Sequence, residues 1–153
     1  MPYNTTERET EMKNVVNRSN WRPGPWDNED DKYTWEEQGV PCLIIRCWAG
    51  HLCGYVGLPD DFAFSSSARD DMNDAAHYEI TFAGPLKSVH IWGQRWIGFD
   101  CAHNGDAWPL EPDRQDDWGG RGTYRTVEYV RDRVNRMAEI VSRAAQAAAA
   151  EEC

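Results

Sequence analysis

Apolar positions along the chain fall into short runs typical of strands, followed by one long helical stripe. The segment Pro41–Trp48 is almost wholly apolar, and His51–Leu58 follows it directly after Ala49 and Gly50, a pair that favours a turn. These two segments predict a β-hairpin. Three further strands are predicted, at His77–Phe82, Val89–Trp92 and Trp96–Cys101.

A long amphipathic helix is predicted near the C-terminus. Apolar residues recur there at three- and four-residue steps while arginines occupy the other faces, and Thr123 is expected to cap the first turn. The stripe consists of Val127, Val130, Val134, Met137 or Ala138, Val141 and Ala144.

The remaining segments predict loops and an N-terminal arm. Thr6 and Glu9 form a capping-box pattern before a short helix over about Glu7–Asn17, and residues 20–40 are rich in Trp, Pro and acidic residues. The polar stretches 59–76 and 103–122 are expected to be loops. We therefore predict an α+β fold, in which a small antiparallel sheet packs against the long C-terminal helix. Residues 1–40 form the helix and arm, and residues 41–153 form a single domain.

Charge narrows the range of functions. The chain of 153 residues has a net charge of -10, which disfavours general binding to nucleic-acid phosphates. It contains neither a membrane-spanning apolar run nor a secretory signal, so we expect no membrane association and a cytoplasmic location. The acidity is also compatible with a protein whose acidic face imitates nucleic acid, although a solvated acidic surface is the commoner explanation.

Cysteine and histidine residues suggest a metal site. His51 and Cys53 are two positions apart, as are Cys101 and His103, so each pair lies on one face if its segment is a strand. Neighbouring strands would bring four nitrogen and sulfur ligands together, a set that suits zinc. The alternative is that both cysteines are small buried residues and both histidines donate to backbone carbonyls.

A thiol nucleophile is a second hypothesis for these residues. Cys101 could be deprotonated by His103, His51 or His77, with Asp100 or Asp106 orienting the imidazole. Asp100 and Asp106 could equally pair in acid–base chemistry or hold a cation, or Asp106 could simply cap the backbone in the turn after Gly105.

A small-ligand site is the third hypothesis. Gly119, Gly120 and Gly122 precede the long helix and are interleaved with arginine, a pattern that can hold an anion or form a flexible linker. Tryptophans near these segments could stack on a nucleobase or form core. The predicted ligand-binding residues are Trp96, Trp108, Arg121, Tyr124 and Arg125.

Three segments together carry a family resemblance. Their sequences are GHLCGYVGLP at Gly50–Pro59, HYEITFAG at His77–Gly84 and WIGFDCAHNGD at Trp96–Asp106. In that order they resemble a family of small uncharacterised proteins of tailed bacteriophages and prophages, over roughly residues 40–142. The resemblance implies a phage source and brings no established activity.

These observations favour a phage-encoded protein that acts in the host cytoplasm by binding. It would bind a host protein or sequester a small nucleotide-like signal, and so counter host defence. A hydrolase with a His/Cys metal or thiol site is the enzymatic alternative, and the absence of a convincing catalytic set favours a non-enzyme. An acidic nucleic-acid mimic, a virion component and a homo-oligomer remain open.

Overall fold

The computed structural model describes residues 16–86, 94–115 and 119–151. Its main sheet is built from β1 (Lys32–Glu37), β2 (Val40–Arg46), β3 (Leu52–Leu58), β4 (Phe82–Gly84) and β5 (Arg95–Asp100). The helices are α1 (Ser66–Ala75) and α2 (Val127–Glu151), with a 3₁₀ turn at Pro25–Asn28. The two-residue strands β6 (Asp106–Ala107) and β7 (Thr123–Tyr124) pair in parallel.

The main sheet is antiparallel throughout, with strand order β1-β2-β3-β5-β4. Together with the long helix α2 it confirms the predicted α+β fold. No helix in the described ranges is long and apolar enough to span a membrane.

The predicted hairpin is confirmed as β2 and β3, which pair with Cys42 opposite Val56. Gly50 closes the turn with a positive φ of 100°, and its N–H donates to the Cys47 carbonyl at 2.8 Å. A side chain here would collide with Pro109, which would lie 2.4 Å from an added Cβ. Glycine therefore fits this turn for both its conformation and its size.

The core lies between one face of the sheet and α2. Ile44 of β2, Gly54 of β3 and Phe99 of β5 are cross-strand neighbours on this face. A Cβ at Gly54 would lie 2.6 Å from Val134, so glycine lets the helix approach closely. The predicted stripe is fully buried at Val130, Val134, Met137, Ala138 and Val141. Each of the buried valine and methionine side chains contributes roughly 1.5–3 kcal/mol when removed from water.

Several sequence expectations are wrong. The predicted loop 59–76 contains α1, which Ser65 caps by accepting the Ala68 N–H at 3.1 Å. Met72 and Ala75 are buried, which anchors this otherwise polar helix. Of the predicted strand His77–Phe82, only Phe82 lies in a strand, β4, because the chain leaves α1 at residue 76 and turns at Tyr78.

The boundaries near the two ends of the sequence also differ from expectation. Strand β1 lies inside the range 1–40 that was predicted as helix and arm, and it pairs with β2. Helix α2 begins at Val127, and Thr126 rather than Thr123 caps it by accepting the Tyr129 N–H at 3.2 Å. Thr123 instead lies in β7. The predicted helix Glu7–Asn17, up to residue 15, and the predicted strand Val89–Trp92 lie outside the described residues.

A buried arginine ties the N-terminal segment to the start of α2. The Arg46 guanidinium donates to Asp31 at 2.8 Å, to Glu29 at 3.3 Å and to the Tyr124 hydroxyl at 2.8 Å. The second carboxylate oxygen of Glu29 accepts the Val127 N–H at 2.7 Å. We call Arg46, Asp31, Glu29 and Tyr124 the Arg46 network.

Candidate functional site

The predicted four-ligand zinc cluster does not assemble among the described residues. Cys53 pairs with Asp100, whereas the Cys101 N–H donates to the Leu52 carbonyl at 3.0 Å. Adjacent positions on a strand point to opposite faces, so Cys101 packs in the core between sheet and helix while Cys53 lies on the other face. Within the described ranges, two other groups bring potential ligands together: Cys47, His51 and Cys53, and separately His77, His103 and Asp106.

The second group centres on a buried aspartate and a buried histidine. Asp106 opens β6 and accepts from His77 Nε2, with oxygens at 2.8 and 3.0 Å. The other ring nitrogen of His77, Nδ1, lies 2.7 Å from the Tyr129 hydroxyl of α2. Because a carboxylate only accepts, Nε2 carries a proton, and in the neutral ring Nδ1 then accepts from Tyr129. The result is an Asp–His–Tyr relay that runs from the interior toward the surface.

Asp106 is held ionised in this buried position. Burial by itself would raise the pKa of Asp106, but hydrogen bonds from His77 and from Arg125 Nε outweigh it. The backbone N–H of His103 also donates to Asp106, at 3.0 Å. These donors lower the pKa of the carboxyl below its ordinary value of 3.8.

An open groove lies directly outside this relay. Its volume is about 370 Å³, and most of its lining is polar. Arg125 and Arg133 lie over the ring of Tyr129, with guanidinium carbons 5.1 and 5.3 Å from the ring centre. The groove is lined by Asn73, Asp74, Ala76, His77, Tyr78, Arg125, Tyr129 and Arg133.

Two atoms at this site lack hydrogen-bond partners within the described part of the chain. They are Nε of Arg133 and Nδ1 of His103, and both are buried. His103 Nδ1 lies 3.5 Å from Asp100 and 3.8 Å from Asp106 without forming a hydrogen bond to either. Buried polar groups in native proteins are nearly always paired, so unpaired ones beside a groove point to a function in binding.

Tyr78 forms the exposed edge of the groove. Its side chain is 58% exposed, although one side of the ring packs on His77 and His103 at centroid distances of 4.5 and 4.9 Å. Its φ of 66° lies in the left-handed region, which is uncommon for a bulky residue. Such backbone strain persists where surrounding structure enforces it, and it clusters at binding sites.

The first group of potential ligands lies at the end of the β2–β3 hairpin. The sulfurs of Cys47 and Cys53 are 3.1 Å apart, and His51 lies beside them. The hydrogen bond from Cys53 and the nearby His51 ring hold the pKa of the Cys47 thiol at about 5, against the opposing effect of burial. The same hydrogen bond, together with burial, raises the pKa of Cys53.

The predicted thiol nucleophile is poorly placed. Cys101 is 1% exposed, and burial raises the pKa of its thiol well above the ordinary value. The negative charge of Asp106 acts in the same direction. A nucleophilic cysteine needs an accessible thiolate, so this environment fits core packing.

The predicted ligand-binding residues do not form one site. Trp96 is buried in β5, and Tyr124 belongs to the Arg46 network. Arg121 is 79% exposed and pairs with Asp113 at 3.5 Å. Trp108 contacts His51 and carries the Arg114 guanidinium 4.1 Å from its ring centre. Only Arg125 lines the groove.

Sequence reasoning missed Tyr129 and Arg133. Tyr129 and Arg133 lie four residues apart on one face of α2, and Arg125 lies four residues before Tyr129, just ahead of the helix. That spacing is readable from the sequence, and it was the available signal for this half of the groove.

No protein-family model, curated protein or solved structure matches the chain. The resemblance of its three segments to a tailed-phage family therefore stays a prediction.

Proposed function

We propose that the protein binds and sequesters a small nucleotide-like ligand in the groove between α1 and α2. The observation that carries this proposal is the unpaired Nε of Arg133, buried beside the groove. A guanidinium presents donors in a planar fork that matches phosphate oxygens. A phosphate group would give this donor the partner that the described protein does not supply.

The local charge supports an anionic ligand despite the acidity of the whole chain. Two arginines line the groove, against one carboxylate at its edge, Asp74. Asp106 is engaged by Arg125 and His77 behind the groove, so its charge is already compensated. A ligand responds to this local field more than to the net charge of -10.

Tyr78 supplies a surface for a planar base. Its ring is largely exposed and is braced from behind by His77 and His103. Stacking of a base on an aromatic side chain contributes roughly 1–3 kcal/mol. Phosphate at Arg133 and base at Tyr78 together favour a nucleotide over a simple anion.

The tailed-phage resemblance gives this binding a biological setting. A phage protein in the host cytoplasm that holds a nucleotide signal lowers the free concentration of that signal. Such sequestration counters a nucleotide-triggered defence without any chemical step.

Calorimetric titration of the full chain with inorganic phosphate, ADP and a cyclic dinucleotide tests the proposal. We expect at least one nucleotide to bind more tightly than phosphate alone. Arg133→Ala should lower that affinity by about 10-fold or more, since charge-assisted hydrogen bonds are worth about 1.5–3 kcal/mol. The matched control is Arg143→Ala, on the same helix but paired with Glu139 and outside the groove lining.

The control should bind as the parent protein does. The proposal fails if none of the three probes binds, or if Arg133→Ala and Arg143→Ala bind equally well. Circular dichroism of each variant verifies that the fold is retained.

A phosphoester hydrolase is a second candidate, favoured by the Asp106–His77–Tyr129 relay. The Tyr129 oxygen would bond to phosphorus as its proton passes to His77, which then protonates the departing oxygen. Water would release the phosphate from Tyr129 in a second step. Chromatography of a nucleotide incubated with the protein separates the two functions, because sequestration leaves the nucleotide intact and Tyr129→Phe abolishes hydrolysis while retaining binding.

A further inference from the structure

The tip of the β2–β3 hairpin holds three metal-ligating side chains that the groove does not use. We infer that Cys47, His51 and Cys53 bind a zinc ion. Each offers one ligand atom, and these atoms all lie within 4.8 Å of one another. The site is independent of the proposed nucleotide groove, which shares none of these residues.

Backbone hydrogen bonds of the hairpin fix the ligand positions. The Cys47 N–H donates to the His51 carbonyl at 2.8 Å, and the Gly50 N–H donates back to the Cys47 carbonyl at 2.8 Å. Cys53 follows His51 by two positions, with its side chain on the sheet face away from α2. The tight turn therefore brings Cys47 to the other two ligands without any rearrangement of the strands.

The donor set suits zinc. Two thiolates and an imidazole are characteristic ligands of this ion, with metal–sulfur distances near 2.3 Å. Two sulfurs in a tetrahedral zinc site are therefore about 3.7 Å apart. The observed separation of 3.1 Å requires the sulfurs to move apart by roughly 0.6 Å to bind zinc, whereas a disulfide requires them to approach to about 2.05 Å.

The His51 ring provides a separate indication. Its Nδ1 is buried and has no hydrogen-bond partner within the described residues. Metal coordination through this atom would satisfy it. The ring also packs against Trp108 at a centroid distance of 5.6 Å, which limits its rotation.

The other group of potential ligands fits a cation less well. His77 Nε2 and Asp106 are already hydrogen-bonded to each other, and the Arg125 guanidinium lies 2.9 Å from the same carboxylate. A metal ion at Asp106 would be repelled by that positive charge. The hairpin site has no arginine in an ion pair with its ligands in the described structure.

Three protein ligands leave a fourth tetrahedral position. Asp100 lies opposite Cys53 in the sheet register, and its side chain accepts from the Ala102 N–H at 3.1 Å. Asp100 is not among the groups within 4.8 Å of one another at this site, so a water molecule would complete the coordination. Zinc bound here would join both ends of the hairpin turn.

Cobalt substitution of the full chain tests the site. Protein treated with chelator under reducing conditions is titrated with Co²⁺ and then with Zn²⁺. We expect one Co²⁺ per chain with thiolate-to-cobalt charge-transfer absorption, and displacement by Zn²⁺. Cys47→Ser and His51→Ala should each weaken binding on the order of 100-fold or more, since loss of a ligand costs more than loss of a residue that only orients a ligand.

The matched control is Cys42→Ala, which removes a thiol from the core face of β2. It should bind Co²⁺ as the parent does, provided circular dichroism shows it folded. The inference is overturned if charge-transfer absorption is absent, or if it survives in both Cys47→Ser and His51→Ala. The zinc inference is also overturned if peptide mass spectrometry finds a Cys47–Cys53 disulfide that survives the reducing conditions.

Discussion

The protein contains two buried polar clusters that differ in how their arginine N–H donors are used, although Asp31 Oδ2 in the Arg46 network also lacks a partner among the described residues. In the Arg46 network, all five N–H donors of the guanidinium are used. Their acceptors are Asp31 Oδ1, the Gly50 carbonyl, the Tyr124 hydroxyl, Glu29 Oε1 and the Asp30 carbonyl. Around His77 and Asp106, by contrast, Arg133 Nε and His103 Nδ1 stay unpaired in the described structure.

The difference separates a structural role from a binding role. A buried guanidinium whose five donors are all used holds chain segments together, and Arg46 joins the N-terminal segment, the hairpin and the start of α2. A polar cluster that borders a groove and keeps unused donors can accept a ligand. The use of the arginine donors, complete in Arg46 and incomplete in Arg133, distinguishes the two regions more than charge itself does.

The largest expected effect is on stability, from Arg46→Met. We expect the free energy of unfolding to fall by about 3–5 kcal/mol, because Asp31 and Glu29 lose their buried cationic partner. Urea unfolding followed by tryptophan fluorescence measures the change.

An exposed arginine provides the control for this change. Arg121→Ala removes an ion pair with Asp113 at the surface and should alter stability by no more than about 0.5 kcal/mol. If Arg46→Met costs no more than Arg121→Ala, the Arg46 network does not have the structural role assigned to it.

Asp106→Asn should have a smaller but pH-dependent effect on stability. At neutral pH we expect a loss of about 2–3 kcal/mol, since the charge-assisted bonds to Arg125 and His77 are weakened. The pKa of Asp106 is lowered in the folded state, so its contribution is fully present above the ordinary value of 3.8. That contribution is lost as the pH falls through the lower folded-state pKa.

Urea unfolding of both proteins from neutral pH down to about pH 3 tests this. The stability difference should be constant above about pH 5 and should shrink only in the acid range. A difference that already narrows near neutral pH would show that another group controls it.

Much of the fold was predictable because burial leaves a clear pattern in some segments. The hairpin, β5 and the stripe of α2 are strongly apolar, so their periodicity identified them. Helix α1 was missed because serine and aspartate favour turns and only Met72 and Ala75 are buried in it. In β1, half-buried and exposed positions alternate around Tyr33 and Trp35, but the surrounding Trp, Pro and acidic residues favoured a loop prediction.

The candidate sites were less predictable because they depend on long-range contacts. His77 contacts Asp106, 29 residues away along the chain, and Tyr129, 52 residues away. Residue spacing within one segment cannot predict such contacts. Cys47 was missed for a different reason. The predicted metal site relied on residues two positions apart on strands, whereas Cys47 reaches His51 and Cys53 across the hairpin turn.

Tyr78→Asn should affect nucleotide binding much more than stability. Asparagine tolerates the positive φ of 66°, so relief of backbone strain offsets the lost ring contacts. Nucleotide affinity should fall by roughly 1–3 kcal/mol with the loss of stacking, while any affinity for inorganic phosphate is unchanged. Equal losses for nucleotide and phosphate in calorimetry would place the base elsewhere in the groove.

Arg133→Ala should have the smallest effect on stability, which makes it the counterpart of Arg46→Met. Arg133 lies over the Tyr129 ring, but its Nε has no partner to lose in the described structure. Alanine also favours the helix, so we expect a change of at most about 0.5 kcal/mol in the free energy of unfolding. Urea unfolding without ligand provides the measurement. A loss of about 2 kcal/mol or more is what a broken charge-assisted hydrogen bond costs. Such a result would mean that Arg133 stabilises the fold as Arg46 does. The distinction between the two clusters would then no longer hold.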